Sequence, residues 1–176
     1  MKKYQLITHY KQILADTITP VSVYLKVRDR YPNSILLESS DYHANDNSFS
    51  YICFNPIASI KVENEVITKM HPDGSSEVKS ISSQTNLPAE IDAFAQKFIS
   101  EKNSFKFINN GLFGYVAYNA VRYFEDVQLA QKGESLSIPD VYYAVYQNII
   151  AINHFKNEAY IFAHCYNAES NIAEIE

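Results

Sequence analysis

Tryptophan is absent from this chain of 176 residues, and glycine is scarce, at four against six prolines. So little glycine and proline excludes collagen-like repeats and low-complexity linkers. Cysteine is nearly missing too: Cys53 and Cys165 stand far apart with no C-x-x-C, and the five histidines share no ligand spacing. That excludes a zinc module and a disulfide framework, and each histidine on its own reads as a surface or capped residue. The Met1-Lys-Lys start resembles a signal peptide, yet no apolar h-region follows, so the two cysteines read as reduced thiols. No run reaches the roughly 18 apolar residues of a membrane span, and the greasiest segment, residues 141–152, is broken by Gln147 and Asn148. Basic residues are outnumbered, 15 against 20 acidic, for a net charge of −5. Without a basic patch, counterion release has nothing to work with, which excludes nucleic acid as a partner. These absences predict a soluble cytoplasmic protein with neither membrane nor nucleic-acid partners. G-x-S-x-G, H-E-x-x-H, the Walker loop and G-x-G-x-x-G are all missing as well. No catalytic residue and no metal ligand can therefore be assigned.

What remains is ordinary globular material, 47% hydrophobic, 14% aromatic and 20% charged. The length suits a single domain over residues 1–176, since domains most often run about 100–150 residues. Thr19-Pro20 predicts a helix start, and Tyr31-Pro32-Asn33 its end. Residues 34–40 and 50–54 read as strands, the second stopped by Asn55-Pro56. Residues 57–62 and 66–70 flank a Glu-Asn-Glu turn, and Pro72-Asp73-Gly74 turns the chain again. Pro88 leads a helix whose apolar face is Ile91, Phe94, Ala95, Phe98 and Ile99. Residues 112–118 form a strand, a helical turn surrounds Val121 and Tyr123, and residues 141–152 and 159–166 form a final hairpin. Asn167 opens an amphipathic turn that the chain leaves unfinished at Glu176, which predicts a piece cut from a longer protein. The sum is an α+β fold, mostly antiparallel sheets in a sandwich-like arrangement with two or three packed helices.

One strand carries an unusual side chain. Alternation puts Leu36 and Glu38 on one face, with Leu37 and Ser39 on the other. A carboxylate sharing a face with a core leucine is either solvated at the strand end or held for a cation. A ligand ammonium would suit it through a charge-assisted hydrogen bond, with Ser39 and Ser50 supplying hydroxyls. Further on, residues 111–125 combine two glycines with Phe113, Tyr115, Tyr118, Tyr123 and Phe124, and Arg122 and Glu125 are spaced to pair on one helical face.

Leu36-Leu-Glu-Ser39, then Ser50 and Asn55-Pro56, then Gly111-x-x-Gly-Tyr-x-x-Tyr-x-x-Val-Arg-Tyr-x-Glu125 stand in an order that resembles the N-terminal region of anthranilate synthase component I. Asp16-Thr-Ile-Thr-Pro-Val-Ser-Val-Tyr24 is similar to that family's start. Ser50-Tyr-Ile-Cys53 stands where the family commonly has serine-x-isoleucine-glycine. The resemblance implies an enzyme that converts chorismate to anthranilate and pyruvate, a lyase opening tryptophan biosynthesis. It also implies Mg²⁺ in the full-length enzyme, ammonia from a glutamine amidotransferase subunit, and feedback inhibition by L-tryptophan. It places the chorismate and Mg²⁺ residues in a C-terminal catalytic domain that this chain lacks. The chain itself would then be a regulatory region, inactive alone, without a cofactor and prone to self-association through the surface that domain covers. The family's tryptophan motif falls on Leu37, Glu38, Ser39 and Ser50. Glu38 would take the ammonium, Ser39 and Ser50 would make polar contacts, and Leu37, with Phe49 and Tyr51 beside it, would meet the indole. Two other readings compete: aminodeoxychorismate synthase component I, which shares the architecture, and a free-standing amino-acid-binding module.

Overall fold

The computed structural model describes residues 2–38, 48–127 and 138–166. In chain order its elements are β1 (Tyr4–Leu14), α1 (Pro20–Arg28), β2 (Ile35–Leu37), β3 (Phe49–Glu63), β4 (Val66–Met70), β5 (Ser76–Ser80), α2 (Leu87–Ala95), β6 (Phe98–Ser100), β7 (Phe113–Val116), a 3₁₀ helix (Tyr118–Tyr123), β8 (Val141–Asn153) and β9 (Glu158–Tyr166). The α+β class and the antiparallel habit expected from the sequence both hold. Among the described residues the nine strands form one sheet, and only the β1–β6 pair is parallel. None of the helices in those residues is long and apolar enough to cross a membrane.

Two long strands form the spine. β3 and β8 pair antiparallel from Phe49↔Asn153 to Val62↔Val141, and each changes its outer partner midway. The first half of β3 carries β2 and its second half β4; the first half of β8 carries β7 and its second half β9. The changeover coincides with a bulge between Pro56 and Ala58, next to Asn55 at φ 58°. The sequence reading stopped a strand at Asn55-Pro56, but β3 runs on through it. Proline has no N–H to give the ladder, and a bulge is where a ladder tolerates that loss.

The bulge divides the core. Beyond it Ala58, Ile60 and Val62 point into a cluster with Ile67, Val141, Val145 and α2's Leu87 and Phe94. Before it Phe49 and Cys53 join an aromatic cluster with Phe113, Tyr146 and Phe162, packed by Phe105 and Phe107. On the opposite face Ile52 and Ile152 are covered by Val23, Tyr24 and Val27 of α1. That helix starts as expected: Ser22 N–H donates to Thr19 Oγ1 at 3.2 Å, Thr19 N–H to Ser22 Oγ at 3.3 Å, and Pro20 follows the cap. A reciprocal cap of this kind is worth about 1 kcal/mol.

Three local expectations are corrected. The first strand, β1, has no counterpart in the sequence reading; its polar residues conceal it, and it forms because β9 pairs along its length on one side and β6 on the other. The second helix ends at Ala95, so Phe98 and Ile99 belong to a strand. Lys97 O accepts the Tyr4 N–H at 2.7 Å and Phe98–Ser100 pairs with Tyr4–Leu6, so cross-strand bonding overrides the helical spacing. Arg122 pairs with Asp140 at 2.9 Å rather than with Glu125, because the 3₁₀ helix lies beside the start of β8. The expected terminal turn from Asn167 lies outside the described residues.

The two ends of the sheet meet at a seam. Tyr4 stacks on His71 at 5.7 Å and on Phe98 at 5.5 Å, and Lys97 Nζ donates to Glu77 at 2.8 Å. The Lys97 ammonium holds the Glu77 carboxyl below its usual range. Glu90 on α2 accepts from Lys69 of β4 at 2.6 Å and from Lys79 of β5. The curled sheet is thereby latched under its second helix.

Two consequences can be measured. A Cβ on Gly114 would lie 1.9 Å from the Tyr142 carbonyl oxygen, inside the β7–β8 ladder. Gly114→Ala should therefore lower stability by about 1–3 kcal/mol or more, read from urea denaturation. His164 is fully buried, with Nε2–H donating to Asn109 O at 2.9 Å and Nδ1 accepting from Thr8 Oγ1 at 2.9 Å. Burial pushes its pKa down from 6.5 to about 4. The unfolded chain therefore binds a proton first as pH falls. This contribution to stability is intact above pH 6.5 and declines toward pH 4, by about 3 kcal/mol in all. Unfolding free energies measured across that range should show the slope, and His164→Gln should flatten it.

Candidate functional site

The sequence-predicted residues gather at one corner of the sheet, where β2 ends and β3 begins. The β2–β3 register pairs Ile35 with Cys53, Leu36 with Ile52 and Leu37 with Tyr51. The same register carried one residue on sets Glu38 against Ser50. Cross-strand neighbours share a face, so Leu36 and Ile52 belong to the α1 side, and alternation along each strand puts Ser50 and Glu38 on that side too. Leu37, Tyr51 and Phe49 belong to the other side, where Phe49 stacks on Phe107 at 4.5 Å and on Tyr51 at 6.0 Å. Glu38 is exposed, Leu37 is 37% exposed and Ser50 is buried. Ser39 lies outside the described residues.

The approach to this corner is held from below. Tyr146 OH donates to Asn33 O at 2.9 Å, tying β8 to the turn between α1 and β2. Asn33 itself sits at φ 61°, a left-handed conformation that asparagine tolerates. Burial raises the Tyr146 phenol well above its ordinary range, so it remains a hydroxyl donor. Just past the end of β8, His154 N–H donates to Ser48 O at 3.1 Å, and the His154 Nε2 atom lies 2.7 Å from Ser50 Oγ. The sequence reading set His154 aside with the other histidines. Its partner is 104 residues away, and only the β3–β8 register brings the two together.

This corner can therefore offer a carboxylate and a hydroxyl on one face. Among the described residues, no three His, Cys, Asp or Glu side chains assemble as a metal centre. A separate cleft of about 550 Å³, lined by Ile35, Lys61, Met70, Tyr115 and Tyr142 among others, contains none of the predicted site residues. The two cysteines are free and buried, and burial pushes the Cys53 thiol up to about 12. Only the thiolate is nucleophilic, so Cys53 is an inert core residue. Alkylation with iodoacetamide at pH 8, followed by peptide mass spectrometry, should leave Cys53 unlabelled in the folded chain. In urea it should react at least about 100-fold faster.

Relatives place this geometry in context. Anthranilate synthase component 1 of Lactococcus lactis is 29% identical over 152 residues, covering 86% of this chain and 31% of that protein. The Pseudomonas putida protein of the same name is 30% identical over 144 residues, covering 81% of this chain and 28% of its own. The chain thus spans about a third of the length of the curated relatives it matches. The crystal structure of anthranilate synthase component I from Streptococcus pneumoniae shares the fold, with a TM-score of 0.50 and 18% identity over 93% of this chain and 34% of that one. The likeness to anthranilate synthase component I read from the motifs accordingly holds. Residues 18–176 match the family described as chorismate binding enzyme, and the chain belongs to that family.

Proposed function

We propose that this chain is the N-terminal part of an anthranilate synthase component I, and that the corner at Glu38 and Ser50 is the polar half of its L-tryptophan feedback site. The observation that carries the reading is the likeness to proteins named anthranilate synthase component 1 across 81–92% of the chain. The full-length enzyme would convert chorismate to anthranilate and pyruvate as a cytoplasmic lyase, with ammonia from a glutamine amidotransferase subunit. By the resemblance, the Mg²⁺ ligands and the chorismate site would lie in the remaining two-thirds of such a protein. Taken alone, this chain would be non-catalytic and would self-associate through the surface that the missing part covers.

In this reading the tryptophan ammonium lies at Glu38, with Ser50 beside it and Ser39, by resemblance, completing the polar contacts. Leu37 supplies apolar contact from the strand edge. Phe49 and Tyr51 flank it on the same face, opposite Ser50. Inhibition then works by linkage: tryptophan inhibits to the extent that it binds an inactive arrangement more tightly than an active one. In the full-length enzyme, Glu38→Ala should raise the inhibitory tryptophan concentration at least about tenfold, the scale of one lost charge-assisted hydrogen bond. Chorismate turnover without tryptophan should stay within twofold. Equal loss of turnover would make Glu38 a structural residue and remove the site.

A further inference from the structure

Ser50 is 1% exposed, and its hydroxyl is engaged at 2.7 Å by His154, which follows the end of β8 at the same end of the spine. Glu38, one register step from it, has no cation or other partner among the described residues. Glutamate is an acceptor only, whereas a serine hydroxyl is both donor and acceptor. What Ser50 presents to a ligand therefore depends on His154. If Nε2 accepts the Ser50 proton, the Ser50 oxygen turns its lone pairs outward and adds a second acceptor beside the carboxylate. If Nε2 carries the proton, Ser50 offers a donor there, which suits a carboxylate instead. Two adjacent acceptors match an ammonium; a donor beside Glu38 does not.

We propose that His154 is a positioning residue for the ammonium end of an amino-acid ligand, taking the Ser50 proton so that Ser50 Oγ and Glu38 accept from the same ammonium. The inference rests on the tryptophan reading above and adds to it the residue that sets the polarity of the site. His154 is exposed and lies beyond the end of β8, so its replacement leaves the core clusters intact.

The test is a set of titrations into the full-length protein with L-tryptophan, tryptamine, which lacks the carboxylate, and indole-3-propionate, which lacks the ammonium. His154→Phe should weaken L-tryptophan and tryptamine by about tenfold and leave indole-3-propionate within twofold. His154→Gln, whose amide oxygen can accept the same proton, should restore binding to within about threefold of the parent. Ser50→Ala should reproduce His154→Phe, and the double variant should add nothing further. Equal weakening of all three ligands would mean that His154 only supports the corner, and selective weakening of indole-3-propionate would mean that Ser50 faces the carboxylate. Either result overturns the proposal while leaving the tryptophan site standing. If the parent protein binds no L-tryptophan, the site reading itself fails and this inference with it.

Discussion

The pairing of β3 with β8 is the constraint on which the rest of the molecule depends. Each strand serves two neighbourhoods in turn, and the shift of register at Pro56 lets one continuous ladder turn from an aromatic core to an aliphatic one. Straighten that ladder and Ile60 and Val62 would exchange faces with Ser59 and Lys61, because a slip of one residue inverts every side chain that follows. The same pairing carries His154 to the start of β3. The geometry of the candidate site is thus an outcome of the spine as much as of the residues at its corner.

Around this spine the ionic contacts hold edges together. Glu90 gathers two lysines from neighbouring strands, and Glu77 gathers Lys97 and His71 across the seam. Exposed pairs of this kind contribute little singly. Their value lies in fixing where α2 rests on a sheet whose own edge strand, β5, is exposed along its length.

Much of this was legible beforehand, and the failures have identifiable causes. Thr19-Pro20, the Asn64-Glu65 turn and the Asp73-Gly74 turn are local signals, and each element they announce is present. β1 and β6 were invisible because nothing local marks them: each is a strand through its pairing partners. Pro56 misled for the opposite reason, since a strong local stop is overridden by two flanking ladders. The site divided in the same way. Glu38 and Ser50 could be named from a motif and from strand alternation. The faces of Phe49 and Tyr51 follow from that alternation too, once the strand is fixed. The contact between Ser50 and His154 crosses most of the chain, and no spacing rule reaches so far.

The position of β1 also bears on how the chain is made. It precedes every other described strand, yet its long partner β9 is the last one described, with Leu6 opposite Tyr166 and Leu14 opposite Glu158. At a ribosomal pace of about 5–20 residues per second, β1 must wait on the order of 10 s or more for that partner to emerge. Until then only the short β6 is available to it, and the apolar face of β1 bearing Tyr4 and Leu6 has little cover. Vectorial synthesis therefore makes β1, of all the described strands, the one that waits longest for its partner.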